Sequence, residues 1–259
     1  MPGLTADHRL FEMQTDFFIS RYNCLVWDAP AHGKSRPFRL EFSMENMAEY
    51  LHSILQNEKI TNPIFIGQSL GGYISQIYME MFPNEVLGFV SIDSCSLKRK
   101  YYTRWEIALL KRTKWMFASF PYKLLLELGA NGNSVTEYGR RLMKEMWSVY
   151  DKGEYCNLSD HVFRCLAESI ELRKDYDIKC PVLLLCGEKD KAGSAKRYNR
   201  QWMKQDGCRL VWLKNAGHNS NTDVPKVVNE LIGEFVQMIA RDRPKSQNSI
   251  QEHAAKLSE

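Results

Sequence analysis

The segment NPIFIGQSLGGYIS, residues 62–75, constrains the fold more than any other part of the chain. PIFIG is a short apolar run typical of a buried strand, and GGYISQIYMEMFP, residues 71–83, has the apolar spacing of a helix. Only the tight turn GQSLG separates the two. A strand that passes directly into a helix is typical of a parallel sheet covered by helices, so we predict an α/β fold.

Strand and helix signals alternate on both sides of this segment, which favours a mainly parallel sheet. The predicted strand segments are 23–29, 63–67, 86–93, 181–190 and 209–218. The predicted helices are 43–60, 71–83, 193–205 and 225–240. Ser43 is expected to be the N-cap of the first of these helices, because its hydroxyl can accept a free backbone N–H.

The stretch 98–168 interrupts this alternation, since it is rich in helix signals and poor in strand signals. We therefore predict a core formed by 1–97 and 169–241, with 98–168 as a helical cap or lid. The polar residues 242–259 are predicted to form a C-terminal tail.

Composition narrows the class of protein. A net charge of +4 on 259 residues argues against a general nucleic-acid surface. No apolar run approaches the roughly 20 residues of a membrane span, and the first residues do not resemble a secretory signal. The seven cysteines form no C-x-x-C pair and several lie in apolar runs, so we expect a reduced, cytoplasmic protein.

Ser69 is the candidate nucleophile. A serine hydroxyl needs a base to accept its proton and donors for the oxyanion formed by its attack. In a strand–turn–helix context, G-x-S-x-G raises the serine above the strand end, and Gly67 and Gly71 are required by the tightness of the turn. The backbone N–H of Leu70 is then the first candidate oxyanion donor. Gln68, beside the serine, is interpreted mainly as a packing residue.

Two possible partners follow Ser69 in the order acid, then histidine. Asp190 ends one predicted strand segment, and His218 ends the next one along the chain. Catalytic groups in open α/β sheets gather at the carboxyl ends of the strands. We therefore predict a Ser-His-Asp triad in which His218 transfers the proton and Asp190 stabilises the imidazolium.

Two other carboxylates compete with Asp190 for the acid role. Glu188 is only two residues away, and Asp93 follows another predicted strand. The acid can be supplied by an earlier strand end, so Asp93 is the main alternative.

Taken together, GQSLGG, GEKD, AGH and WDAPAHGKS resemble the α/β-hydrolase superfamily over nearly the whole chain, with Ala31 where glycine is usual. The resemblance implies a serine hydrolase that cleaves a small carboxylic ester, thioester or lactone through an acyl-enzyme. Carbon–carbon bond hydrolysis with the same triad and a non-catalytic ligand-binding role are the alternatives. Serine at the elbow disfavours the epoxide-hydrolase and dehalogenase relatives, which use aspartate there. No metal, organic cofactor or nucleic-acid partner is implied.

The opening residues PGLTADHRLFEMQ resemble the loop that follows the third strand in this family, which makes the N–H of Leu4 the second candidate oxyanion donor. That strand normally lies between the strands corresponding to 23–28 and 63–67. We therefore hypothesise an N-terminally truncated form, whose activity is in question. Direct pairing of 23–28 with 63–67 would contradict the hypothesis.

The cap opens with a basic and aromatic stretch. Residues 98–123 contain eight lysines and arginines and one acid, a local charge of +7. One interpretation is an apolar face that covers an acyl group and a basic face that attracts an anionic substrate or a lipid surface. The simpler interpretation, which the pattern favours, is an amphipathic cap with a solvated cationic side. Neither the substrate nor the oligomeric state is indicated by the sequence.

Overall fold

A four-stranded parallel sheet forms the centre of the structure, a computed structural model that describes residues 1–172 and 176–242. Within these ranges the strands are β1 (Ile64–Gln68), β2 (Gly88–Ile92), β3 (Val182–Gly187) and β4 (Arg209–Leu213). They lie side by side in chain order, and β2 and β3 are the central pair. The interior strands are almost continuously apolar and buried, as expected of a parallel sheet covered on both faces.

Eleven α-helices occur in the described ranges. They are α1 (Glu12–Phe18), α2 (Met44–Asn57), α3 (Leu70–Met81), α4 (Arg104–Leu110), α5 (Thr113–Ala118), α6 (Tyr122–Asn133), α7 (Glu137–Trp147), α8 (Lys152–Leu172), α9 (Ala195–Asp206), α10 (Ser220–Asp223) and α11 (Pro225–Asp242). Ser43 is the N-cap of α2, as predicted: its hydroxyl accepts from the backbone N–H of Asn46, whose side chain accepts from the N–H of Ser43. This reciprocal pair fixes the start of the helix.

The predicted α/β alternation is confirmed for four of the five strand segments and for all four helices. The prediction of a strand at 23–29 is wrong, because these residues join no strand ladder. Residues 23–25 are exposed, whereas Trp27 and Ala29 are buried by loop packing. The apolar run therefore predicted burial correctly for Trp27 and Ala29 only, and did not indicate strand pairing.

The backbone of Met1 lies along the outer edge of β1. Its amino group donates to the carbonyl of Ile66 at 2.7 Å, and its carbonyl accepts from the N–H of Gln68 at 3.0 Å. The outer edge of β1 is thus partly satisfied by residue 1. The pairing of 23–28 with 63–67, which would have contradicted the truncation hypothesis, is not present in the described residues.

The connection between β2 and β3 contains α4 to α8, so the stretch predicted to be helix-rich is helical. The long helix α8 lies at the centre of this connection, and α4 and α5 pack on it. On α8, His161 and Cys165 bind the carbonyl of Phe42, which lies beside α2. The division into core and cap at 98–168 stays a prediction. Of the predicted tail, Asp242 ends α11 and 243–259 lie outside the described residues.

None of the described helices combines the length and apolar character needed to cross a membrane.

Candidate active site

Ser69 lies at a strained turn between β1 and α3. Its backbone has φ 48° and ψ −113°, which is unusual for a residue with a side chain. The turn leaves no space beside it: a Cβ on Gly67 would lie 2.5 Å from the backbone of Gly71. A Cβ on Gly71 would lie 2.1 Å from the carbonyl oxygen of Met1. The strained backbone at Ser69 is therefore flanked by two positions, 67 and 71, that have space only for glycine.

Two backbone N–H groups near Ser69 have no acceptor within the described part of the chain. One belongs to Leu70, the first residue of α3, and the other to Leu4. The loop that carries Leu4 touches the elbow, because a Cβ on Gly3 would lie 3.2 Å from the Cβ of Ser69. The two predicted oxyanion donors are thus not consumed by hydrogen bonds within the described residues, and the residue before Leu4 touches the serine.

His218 and the buried Asp190 form a pair at the carboxyl ends of β4 and β3. The two atoms His218 Nδ1 and Asp190 Oδ2 are 3.1 Å apart, and the Asp190 side chain is fully buried. The other oxygen of Asp190 accepts from the N–H of Ala192 at 2.7 Å. Burial lowers the pKa of His218, but the attraction of the Asp190 carboxylate and its hydrogen bond outweigh burial and raise that pKa above its ordinary value.

The geometry distinguishes the three candidate acids. Glu188 is exposed. Asp93 is buried, but its oxygens accept from the N–H of Gly187 at 2.7 Å and from the N–H and hydroxyl of Ser220. Burial raises the pKa of Asp93 to about 7, and repulsion from Asp190 acts in the same direction. Of these three carboxylates, only that of Asp190 is hydrogen-bonded to the imidazole.

Asp190 lies in the loop after β3, and His218 lies in the loop after β4, called the base loop below. These two loops are held tightly together. The N–H groups of Glu188 and Lys189 donate to the carbonyls of Leu213 and Ala216 at 3.0 and 2.9 Å. A Cβ on Gly187 would lie 2.1 Å from the carbonyl oxygen of Gly217. The glycine that precedes the acid is therefore required by the close approach of the base loop.

Gln68, the last residue of β1, joins this strand to the base loop. Its side-chain N–H group donates to the carbonyl of His218 at 2.7 Å and to Oδ1 of Asn219 at 3.1 Å. Sequence reasoning interpreted this residue mainly as packing. The available signal was a buried amide directly before the serine, but its partners lie 150 residues away in the chain.

A second connection links the loop of His218 to the residues between α6 and α7. The carboxylate of Asp223 accepts from the N–H of Gly217 at 2.8 Å, from the N–H groups of Val135 and Thr136, and from the hydroxyl of Ser134. On the other side of His218, the N–H of Asn219 donates to the carbonyl of Asn133 at 2.8 Å. The residues on both sides of His218 are thus fixed to the junction between α6 and α7. Sequence reasoning assigned no role to Asp223.

One expected contact is not formed. Within 1–172 and 176–242, no hydrogen bond joins the hydroxyl of Ser69 to His218. The structure therefore brings together the acid and the base, and ties the base loop to the nucleophile strand through Gln68.

The loop around Asp28 is held by hydrogen bonds to the carboxylate of that residue. Asp28 accepts from the backbone N–H groups of His8 at 2.7 Å and Lys34 at 2.8 Å. His32 is buried, its Nδ1 lies 2.9 Å from the carbonyl oxygen of Pro30, and burial lowers its pKa. His32 is therefore structural, and the ring of His8 is paired with Asp28.

Among the described residues, Asp93, Cys186 and Asp190 come close enough to be considered as metal ligands, with candidate atoms within 4.8 Å of one another. Every carboxylate oxygen in this cluster already accepts a hydrogen bond. Burial also raises the pKa of the Cys186 thiol, which opposes formation of a thiolate ligand. We assign no metal to this cluster.

The sequence profile of the alpha/beta hydrolase fold family matches residues 1–223. The chain belongs to this family. The curated human protein Epoxide hydrolase 4 is 23% identical over 256 residues, which cover 87% of this chain and 68% of that protein. The resemblance seen in the sequence is thus confirmed at the level of the family and the fold.

Solved structures of the family superpose over most of the chain. A thermophilic esterase from Thermogutta terrifontis has a TM-score of 0.75 at 16% identity and covers 92% of this chain and 88% of its own. The esterase EaEST from Exiguobacterium antarcticum has a TM-score of 0.67 at 19% identity, covering 92% of each chain. A bromoperoxidase from Bacillus anthracis has a TM-score of 0.70 at 16% identity, covering 91% of each. At these identities the likeness supports the fold.

Proposed function

We propose that this protein is a serine hydrolase that cleaves a small carboxylic ester, thioester or lactone through an acyl-enzyme. The observation that carries the proposal is the hydrogen-bonded pair of the buried Asp190 and His218, the latter in a loop tied by Gln68 to the strained turn of Ser69. Two of the solved structures described above are named esterases, which supports the same class of reaction.

In the proposed reaction, Ser69 Oγ attacks the carbonyl carbon while Nε2 of His218 accepts the hydroxyl proton. Asp190, at Nδ1, stabilises the imidazolium that results. The negative charge that develops on the carbonyl oxygen is accepted by the N–H groups of Leu70 and Leu4. His218 then protonates the departing alcohol, thiol or ring oxygen, and a water activated by the same histidine hydrolyses the acyl-enzyme.

Because Ser69 and His218 are not hydrogen-bonded, we expect substrate binding to bring the imidazole and the hydroxyl together. The imidazole must come within about 3 Å of the hydroxyl for proton transfer, and such contacts are often long before substrate is bound. The base loop is held on both sides, so we expect adjustment at the two side chains with the backbone in place.

Epoxide opening is a second candidate reaction, because the human relative is named Epoxide hydrolase 4. Ser69, the residue at the turn between β1 and α3, disfavours epoxide hydrolysis by this chain. Attack by the hydroxyl of Ser69 on an epoxide carbon would form an ether, and neither water nor the imidazole can cleave that bond at a useful rate. An ester of Ser69, by contrast, is hydrolysed through the same oxyanion donors that helped to form it.

The test is turnover of p-nitrophenyl esters of increasing chain length, together with lactones, thioesters and an epoxide. We expect ester, lactone or thioester hydrolysis and no turnover of the epoxide. Ser69→Ala should reduce hydrolysis by a factor on the order of 10⁴ or more. Ser53→Ala is the matched control, because Ser53 is an exposed serine on α2. Epoxide turnover, or hydrolysis that survives Ser69→Ala, would contradict the proposal.

A further inference from the structure

The helices α4 to α6 expose large apolar side chains to solvent. Trp105 is 73% exposed and Trp115 is 63% exposed, although tryptophan is usually well buried. With them we define the apolar cap face by six residues: Trp105, Leu109, Trp115, Phe120, Leu124 and Leu128. Two pairs, Trp105 with Leu109 and Leu124 with Leu128, have the i, i+4 spacing that aligns side chains on one side of a helix. Exposed apolar patches on soluble proteins commonly mark interaction sites.

The inner sides of α4 and α5 are held against α8, so their exposed residues lie on the free sides of these two helices, while α6 packs on α7. Ile107 and Thr113 are buried, and the ring of Phe117 lies 6.2 Å from the ring of Phe163. The N–H of Lys114 donates to Asp160 at 3.1 Å. The opposite side of α8 is the one that contacts Phe42 and α2. The short helices are thus an outer layer with one packed side and one free side.

Cations are interleaved along the chain with the residues of the apolar cap face. The stretch 104–128 has five basic and two acidic residues, a net charge of +3. Both acids are neutralised from elsewhere, Glu106 by Arg197 and Glu127 by Lys144. Four cations of this stretch have no carboxylate partner among the residues that the structure describes: Arg104, Arg112, Lys114 and Lys123. Apolar and aromatic side chains among unpaired cations are the combination used by helices that lie on anionic membranes.

We propose that the apolar cap face docks on an anionic lipid surface, with Trp105 and Trp115 entering the interfacial region and the unpaired cations contacting lipid phosphates. This proposal concerns a surface outside the Ser69 site and does not depend on the reaction catalysed there. A second copy of the chain is the less suitable occupant. A two-fold contact would bring the unpaired cations of two identical surfaces against each other.

The experiment uses the full chain and unilamellar vesicles of phosphatidylcholine, with and without phosphatidylglycerol. We expect sedimentation with the vesicles that contain phosphatidylglycerol, a blue shift of tryptophan emission, and release by salt. Trp105→Ser combined with Trp115→Ser should abolish the blue shift. Arg112→Glu combined with Lys114→Glu should weaken binding at least roughly fivefold for each cation removed. Ile19→Ser is the matched control, since Ile19 is 68% exposed and lies outside the apolar cap face.

Thermal unfolding of each variant shows whether the fold is kept, which we expect because the altered side chains are exposed. Three results would overturn the proposal. One is no vesicle binding by the natural chain, and another is equal binding to neutral and anionic vesicles. The third is concentration-dependent dimerisation without lipid that the tryptophan substitutions abolish, which would assign the apolar cap face to a second copy.

Discussion

The side-chain amide of Gln68 donates a hydrogen bond to the carbonyl of His218 over 2.7 Å, so the residue before the candidate nucleophile holds the loop of the candidate base. The same amide reaches Asn219, and the neighbouring N–H of Gly217 is held by Asp223. The position of His218 is therefore determined by contacts from β1 and from the junction between α6 and α7, as well as by Asp190.

Gln68→Ala removes the contact between the nucleophile strand and the base loop. It leaves the carbonyl of His218 without its buried donor, at a cost of about 1–3 kcal/mol in the free energy of unfolding. We expect kcat on an ester substrate to fall by a factor on the order of 10 to 100 with a smaller change in KM, because the base is displaced while the acyl site is kept. Steady-state kinetics and urea unfolding measure both effects. Gln56→Ala, at an exposed position on α2, is the control, and an unchanged kcat in Gln68→Ala would refute this role.

Asp190→Asn tests the acid through the pH dependence of kcat/KM. The base must be neutral to accept a proton, so activity rises with pH through the pKa of His218, which Asp190 raises. Removing this charge lowers the pKa, and the acidic limb of the profile should move to lower pH. The maximal rate should fall by a factor on the order of 10² to 10⁴.

Asp93→Asn is the comparison for the acid assignment. Asp93 also raises the pKa of His218, but its contribution follows those of Asp190 and it has no hydrogen bond to the ring. We expect a smaller shift of the acidic limb and a smaller loss of rate than in Asp190→Asn. The reverse order of the two variants would assign the acid to Asp93.

The sequence predicts those parts of the site whose residues are recognised by their immediate neighbours in the chain. Ser69, Asp190 and His218 are each identified by a few neighbouring residues at a strand end, and their order along the chain suggests that they meet. The roles of Gln68 and Asp223 depend on partners that are distant in the chain, and no short pattern encodes such partners. The run at 23–29 shows a different limit: a short apolar run does not reveal whether a neighbouring strand is present to pair with it, and its first three residues are exposed.

Asp223→Asn disrupts the connection between the cap and the base loop. An amide nitrogen in place of one carboxylate oxygen would face N–H donors from Gly217 or from Val135 and Thr136, so at least one hydrogen bond is lost. We expect the free energy of unfolding to fall by about 1–3 kcal/mol and kcat to fall more than KM rises. Asp16→Asn, at an exposed position on α1, is the control. Unchanged stability and kinetics would mean that the cap does not position His218.

Gly187→Ala tests the close approach of the acid and base loops. The added Cβ would lie 2.1 Å from the carbonyl oxygen of Gly217, so one of the two backbones must move. We expect a destabilisation of about 1–3 kcal/mol together with loss of most activity. Gly132→Ala is the matched control, because a Cβ there meets nothing within 4 Å and alanine favours the helix α6 by roughly 1 kcal/mol. Equal stability of the two variants would contradict the close contact.

The central claim, that Ser69 is an activated nucleophile, is tested most directly by reaction with a fluorophosphonate, followed by peptide mass spectrometry. We expect one phosphonylated serine, located at Ser69, with labelling lost in Ser69→Ala, strongly slowed in His218→Ala and unchanged in Ser53→Ala. A folded natural chain that takes no label, or one labelled at another serine, would contradict it.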